Sequence, residues 1–250
     1  MKVEVKDLLQ AGAHFGHKSE RWNPKMSPFI YAKKSGIHVI DLEKTKEELE
    51  KALDYVSSLA KEGKTVLFVG TKRQAQEITK EEAEKAGMPY VNIRWLGGTL
   101  TNFKTVVSQV KKMVALREEK AKGEWEKYSK KEQALRKKEL ERLTEAIGGL
   151  ENLKELPDAL FIIDILKENI AIKEAKKMKI PTIAIVDTNT NPDIIDYVIP
   201  ANDDAVKSIR FIAGKIADAI SDEKELPVSK KEDKKDKEEK IDQKEEKEGK

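Results

Sequence analysis

Val69-Gly-Thr-Lys-Arg73 places a glycine, a hydroxyl and two cations where an apolar stretch gives way to an amphipathic one. A helix N-terminus offers unpaired N–H groups and the positive end of a dipole. Such a turn therefore suits a phosphate, with Thr71 as the cap and Lys72 and Arg73 as counter-charges. The same residues also make an ordinary strand-to-helix turn with two solvated cations. The Gly-x-Gly-x-x-Gly spacing of a dinucleotide site is missing. Gly98-Thr-Leu-Thr-Asn-Phe-Lys104-Thr105 approaches a nucleoside-triphosphate loop, but Phe103 stands where that loop requires its second glycine, and the motif fails. What remains is Arg94-Trp95-Leu-Gly-Gly-Thr-Leu-Thr-Asn102, with Lys104 just beyond. This loop joins a guanidinium, an indole and two glycines at the carboxyl end of a strand, where open α/β sheets carry their binding residues. Arg94 can neutralise a phosphate. Trp95 either stacks on a ligand or packs beneath the loop.

Arg21-Trp22-Asn-Pro-Lys25 combines two cations with an aromatic ring and a stiffening proline, a set suited to an RNA backbone and equally to a surface loop over a half-buried Trp22. Lys33 opens a second basic turn. The candidate RNA-binding residues are thus Arg21, Trp22, Lys25, Lys33, Lys72, Arg73, Arg94, Trp95, Asn102 and Lys104. His14, His17 and His38 invite a metal reading, but three histidines with no cysteine, two of them three residues apart, make a poor zinc set. Hydrogen-bonded structural histidines are expected, and no metal. Asp164 and Asp187 each follow a strand and could gather to hold magnesium or move protons. No nucleophile or third partner accompanies them, so capping of the following turns is the favoured role.

The elements that must position these residues follow from hydrophobic periodicity. Strands read at 65–69, 90–93, 159–163, 182–186 and 197–199, alternating with stripes such as Leu42, Leu49, Leu53, Val56 and Ala60, or Val206, Ile209, Ala213, Ile216 and Ile220. That alternation predicts an α/β fold, a parallel sheet flanked by helices. Segments 28–32 and 37–40 read as a β-hairpin around Lys33-Lys-Ser-Gly36. From 103 to 147 the alternation breaks. Phe103, Val107, Val110 and Val114, then Gly123, then Leu135, Leu143 and Ile147, predict an antiparallel coiled-coil hairpin that projects from the body. The expected organisation is a globular body over 1–102 and 148–228, the hairpin over 103–147 and a charged, disordered tail over 229–250. The tail holds nine Lys and nine acidic residues, which leaves the whole formal net charge of +3 on the rest.

That excess, 49 Lys and Arg against 46 Asp and Glu, is too small to establish nucleic-acid binding by itself, because placement matters more than the sum. The absence of cysteine excludes disulfides, thiolate metal sites and cysteine nucleophiles. The first residues lack a signal peptide's apolar stretch, and no run approaches the roughly 18 apolar residues of a membrane span, so a cytoplasmic protein without a membrane partner is expected. The cations are dispersed over several elements, as phosphate contacts are, whereas an enzyme needs one compact constellation. A nucleotide-binding enzyme using Gly70 to Arg73, and a scaffold that binds only protein through its hairpin, are the competing readings.

Gly12-Ala-His-Phe-Gly-His17, Trp22-Asn-Pro-Lys-Met26, Asp41-Leu-Glu-Lys44, Phe68-Val-Gly-Thr-Lys-Arg73, Arg94-Trp-Leu-Gly-Gly98 and Leu100-Thr-Asn102 resemble the bacterial small-subunit ribosomal protein two family. So do Leu156-Pro-Asp-Ala-Leu160, Ile170-Ala-Ile-Lys-Glu-Ala175, Ile185-Val-Asp-Thr-Asn189 and Val198-Ile-Pro-Ala-Asn-Asp-Asp204, all in family order over about residues 5–220. Asn191 departs from the aspartate expected in Asp-Pro-Asp, and Ile165 to Asn169 match loosely. The resemblance implies a flavodoxin-like sheet with an inserted hairpin. It also implies a structural, non-enzymatic protein on small-subunit ribosomal RNA between head and body. Its partners would then be neighbouring ribosomal proteins, including the messenger-binding ribosomal protein one, with no cofactor and no small-molecule substrate.

Overall fold

The structure, a computed structural model, describes residues 3–223. The tail expected over 229–250 lies outside them. Five short strands, β4 (Val66–Val69), β5 (Tyr90–Val91), β6 (Ala159–Ile163), β7 (Thr182–Val186) and β8 (Tyr197–Pro200), form one sheet in the order β5-β4-β6-β7-β8, every pair parallel. Numbered within the sheet this is the flavodoxin-like order 2-1-3-4-5. The central strands are apolar on both faces because helices cover both. In β6, Ala159, Phe161 and Ile163 face one core with α1 (Val5–Ala11), α2 (Leu42–Lys61), α3 (Gln76–Lys85) and the helix α7 over 206–223. Leu160 and Ile162 face the other core, shared with α4 (Phe103–Ala121), α5 (Lys130–Ile147) and α6 (Asn169–Met178).

Local signals set the helix ends. Asp41 caps α2 by accepting from the Glu43 N–H at 3.1 Å, and the stripe Leu49, Leu53, Val56 and Ala60 is buried. Ser129 and Glu132 form a reciprocal capping box that starts α5. The inserted helices lie in the connection between β5 and β6. Lys112–Glu139 at 2.6 Å and Arg136–Glu119 at 2.8 Å cross between them, as an antiparallel pair requires. The seam differs from the expected one: Val106, Val110, Met113 and Leu116 meet Leu140, Leu143 and Ile147, while Val107 and Val114 are only half-buried and Leu135 is 60% exposed. These seam residues join the second core of the sheet, and a helix that also touches a sheet presents a rotated face.

A strand that the sequence reading missed, β1 (Phe15–Lys18), joins β2 (Ile30–Lys34) and β3 (Ile37–Ile40) in an antiparallel sheet of order β1-β3-β2. Ser35 and Gly36, with φ of 51° and 79°, make the two-residue turn that suits the twist of paired strands. The strand segment is pressed onto the body: a Cβ at Gly16 would lie 2.6 Å from the Thr188 methyl, so only glycine permits this approach. The backbone N–H of His17 donates to Thr188 Oγ1 at 2.8 Å, which seats His17 over the end of β7.

Candidate nucleic-acid interface

The turn after β4 does not take the shape expected of it. The helix α3 begins at Gln76, and residues 72–75 turn before it, with Ala75 and Gln76 N–H donating to the Lys72 carbonyl. Thr71 is therefore no cap. Its N–H and hydroxyl donate instead to Glu168 Oε1 at 2.8 and 2.5 Å, and Glu168 is 2% exposed. Burial pushes the Glu168 carboxyl up, and the Thr71 donors pull the other way. The crevice between the ends of β4 and β6, where the strand order reverses and flavodoxin-like folds bind ligands, is thus closed by the chain's own carboxylate.

Lys72 is equally committed. Its ammonium lies 3.2 Å from Asp164, 2.7 Å from Asp203 and 2.6 Å from Asp204. Burial disfavours that charge, but hydrogen bonds to Asp203 and Asp204 and the charge of Asp164 outweigh it and raise the lysine further. Burial, with the charges of Asp164 and Asp187, pushes Asp203 up to about 7 against the pull of Lys72. The expectation that Lys72 faces outward to phosphate meets an ammonium already neutralised from within. Asp164 takes the capping role expected, with Oδ1 accepting from Leu166 and Lys167 N–H at 3.1 Å.

The loop after β5 is organised by one residue that the sequence reading did not single out. Glu174 on α6 accepts from Trp95 Nε1 at 3.2 Å and Gly98 N–H at 2.7 Å through Oε1. Through Oε2 it accepts from Leu100 N–H at 3.0 Å, Thr101 N–H at 3.1 Å and the Thr101 hydroxyl at 3.2 Å. Burial alone would raise its carboxyl, but the donors from Gly98, Thr101, Leu100 and Trp95 hold it below the usual range. Trp95 is 7% exposed and anchors the loop from beneath, so of the two roles open to it the packed one is realised. A carboxylate set among Ala171, Ile172 and Ala175 of an apolar stripe was the available signal.

His17 brings the third cluster. Nδ1 lies 3.1 Å from Asp187 Oδ1, off the axis of a hydrogen bond, and Nε2 lies 3.4 Å from Asp204. The Asp187 carboxylate raises the imidazole, burial opposes, and Asp203 and Asp204 add to the rise. One ligand atom from each of His17, Asp187 and Asp204 falls within 4.8 Å of the others, a donor set that fits a divalent cation. The histidine set weighed in the sequence is not assembled: His38 is buried against Trp22 and His14 packs on Phe15.

The remaining candidates stay at the surface. Arg21, Lys33, Arg73, Arg94 and Lys104 are exposed, and among the described residues none of them pairs with a carboxylate. Lys25 is exposed but bonded to Asp193. Trp22 is half-buried, with its ring centroid 4.9 Å from that of His38. Exposed Asn102 accepts from the Thr105 hydroxyl at 2.9 Å. Lys72 is thus held among three aspartates, while Arg21, Lys33, Arg73, Arg94 and Lys104 have no carboxylate partner among the described residues.

Residues 8–223 match the family model described as Ribosomal protein S2. The chain is 56% identical over 226 residues to the small ribosomal subunit protein uS2 of Coprothermobacter proteolyticus, covering 89% of this chain and 83% of that protein. It is 53% identical over 220 residues to the uS2 of Thermus thermophilus, with 88% and 86% covered, and 54% identical over 223 residues to that of Petrotoga mobilis, with 89% and 77% covered.

Proposed function

This chain belongs to the ribosomal protein S2 family, and from that premise we propose how it takes part in translation. It is a structural component of the small ribosomal subunit, in the cytoplasm, and not an enzyme. We read it as held between head and body by ribosomal RNA, through cations spread over several elements: Arg73 and Arg94 at the carboxyl edge of the sheet, Lys104 at the start of α4, and Arg21 and Lys33 on the small sheet. The observation that carries this reading is the sorting of charge. Lys72 is held from within by Asp164, Asp203 and Asp204, whereas these five cations are exposed and unpaired among the described residues. Dispersed cations fix a protein on a phosphate backbone without a compact site.

The small sheet supports the protein side of the reading. Leu9, Phe15 and Tyr31 are 52%, 52% and 76% exposed, and Leu9 and Tyr31 line a common concavity of about 240 Å³ with Val39 and Leu42. An exposed apolar patch of this kind suits a protein neighbour, and we assign it to docking of ribosomal protein one. Sedimentation of the tagged protein with salt-washed small subunits tests the assignment to the subunit. Arg73→Ala and Arg94→Ala should each flatten the log–log salt dependence of binding to small-subunit RNA by roughly one unit or somewhat less. Unaltered affinity and slope in both would remove this edge from the RNA surface.

A further inference from the structure

The loop after β5 and the first turns of α4 enclose a slot that the phosphate contacts leave unused, and we propose that it receives one unpaired base of the ribosomal RNA. This rests on the RNA-binding reading above and specifies what that edge recognises. The slot measures about 140 Å³. That is well below the roughly 300 Å³ at which cofactor and drug-sized sites begin, and it suits a single flat ring. Leu96, Gly97, Val106 and Ile147 give it an apolar lining, and Asn102 and Gln109 stand at it as polar groups.

Three features suit a base rather than an aliphatic side chain. A Cβ at Gly97 would meet nothing within 4 Å, so the backbone there is bare and a planar ring can lie against it. The amide nitrogen of Asn102 and the whole amide of Gln109 have no partner among the described residues, and amides read the edges of unstacked bases. Arg94 precedes the lining by two residues in sequence and Lys104 falls between two lining residues, both exposed and unpaired among the described residues, and to them we assign the flanking phosphates of a splayed-out nucleotide. The loop is also held in advance. Glu174 ties down Gly98, Leu100, Thr101 and Trp95, so little order has to be gained on binding.

Chemical probing of small-subunit RNA with dimethyl sulfate and carbodiimide, with and without the full-length protein, tests this alongside affinities measured over a range of salt. The expected result is one unpaired base whose pairing edge is protected by the wild-type protein and reactive again with Gly97→Val or Gln109→Ala. Affinity should fall about tenfold, toward the lower end of what a stacked base contributes, with the salt slope unchanged. Arg94→Ala should flatten the slope and keep the base protected. Gly97→Val projects into open space at a φ outside the left-handed region, and Gln109 is exposed, so thermal melts should match wild type. If Gly97→Val does not fold, Gln109→Ala carries the test. Wild-type affinity in both variants, with no base uncovered, overturns the slot while RNA binding stands. Normal RNA binding by Gly97→Val with loss of entry into subunits assigns the slot to a protein neighbour and also overturns the proposal. Failure of the wild-type protein to bind the RNA at all overturns the parent reading and this one together.

Discussion

At the scale of single residues, charge type was legible in the sequence and charge partner was not. Lys72 and Arg73 are adjacent cations, yet one is held by Asp164, Asp203 and Asp204 and the other faces outward. Removing the buried partner leaves Asp203 uncompensated. Lys72→Met should therefore cost about 3 kcal/mol or more, a drop of roughly 6–12 °C in Tm, and leave the salt slope for RNA unchanged. A stable variant with a slope reduced by one unit would instead return Lys72 to the RNA surface. Glu174 makes the second case. An amide in its place accepts through one oxygen only and sets its own N–H groups against the loop's donors, so Glu174→Gln should destabilise by about 2–4 kcal/mol. Its folded carboxyl sits below the ordinary 4.5, so the stability it contributes is full above that pH and is lost as the pH falls through the lowered value. The gap between wild type and variant, measured by urea unfolding, should narrow below about pH 4.5. A gap of constant size would show that the carboxylate's charge is immaterial to the loop.

At the scale of elements, type and order could be read from period, and the rotation of each helix could not. The sheet strands fell close to their expected bounds because runs such as Ala159–Ile163 are apolar throughout. Strand β1 escaped notice because Phe15-Gly-His-Lys18 lacks alternation and is paired only through β3. For the inserted helices, the phase set by Val106, Val110 and Met113 links them to the second core, while the part beyond Glu119 and Arg136 packs chiefly on itself around Trp125. Replacing 120–135 with a short Gly-Ser linker is expected to leave a cooperative melt within a few degrees of wild type. Replacing 104–147 should lower it much further, because Leu67, Val69 and Leu160 share a cluster with the seam. Equal melts for both deletions would establish the whole hairpin as separable.

At the scale of the whole molecule, the cations assigned to RNA lie on separate elements, so their contributions should add. Arg21→Ala combined with Arg94→Ala is expected to reduce the salt slope by the sum of the single effects, since distant sites without shared partners behave independently. A double variant no weaker than either single one would place both on one contact. The sequence by itself determined the α/β class, the inserted helices and, through its motifs, the family, because these depend on local period and on residue order. Even the departure at Asn191 is accommodated locally, its Oδ1 accepting from Asp193 N–H at 3.1 Å as an aspartate could. Only the tertiary structure decided that the two glycine-bearing loops are filled by Glu168 and Glu174, from residues 97 and about 75 positions away. A carboxylate's partner is set by where the crossovers of a parallel sheet bring distant loops together, and that distance in sequence leaves no periodic trace.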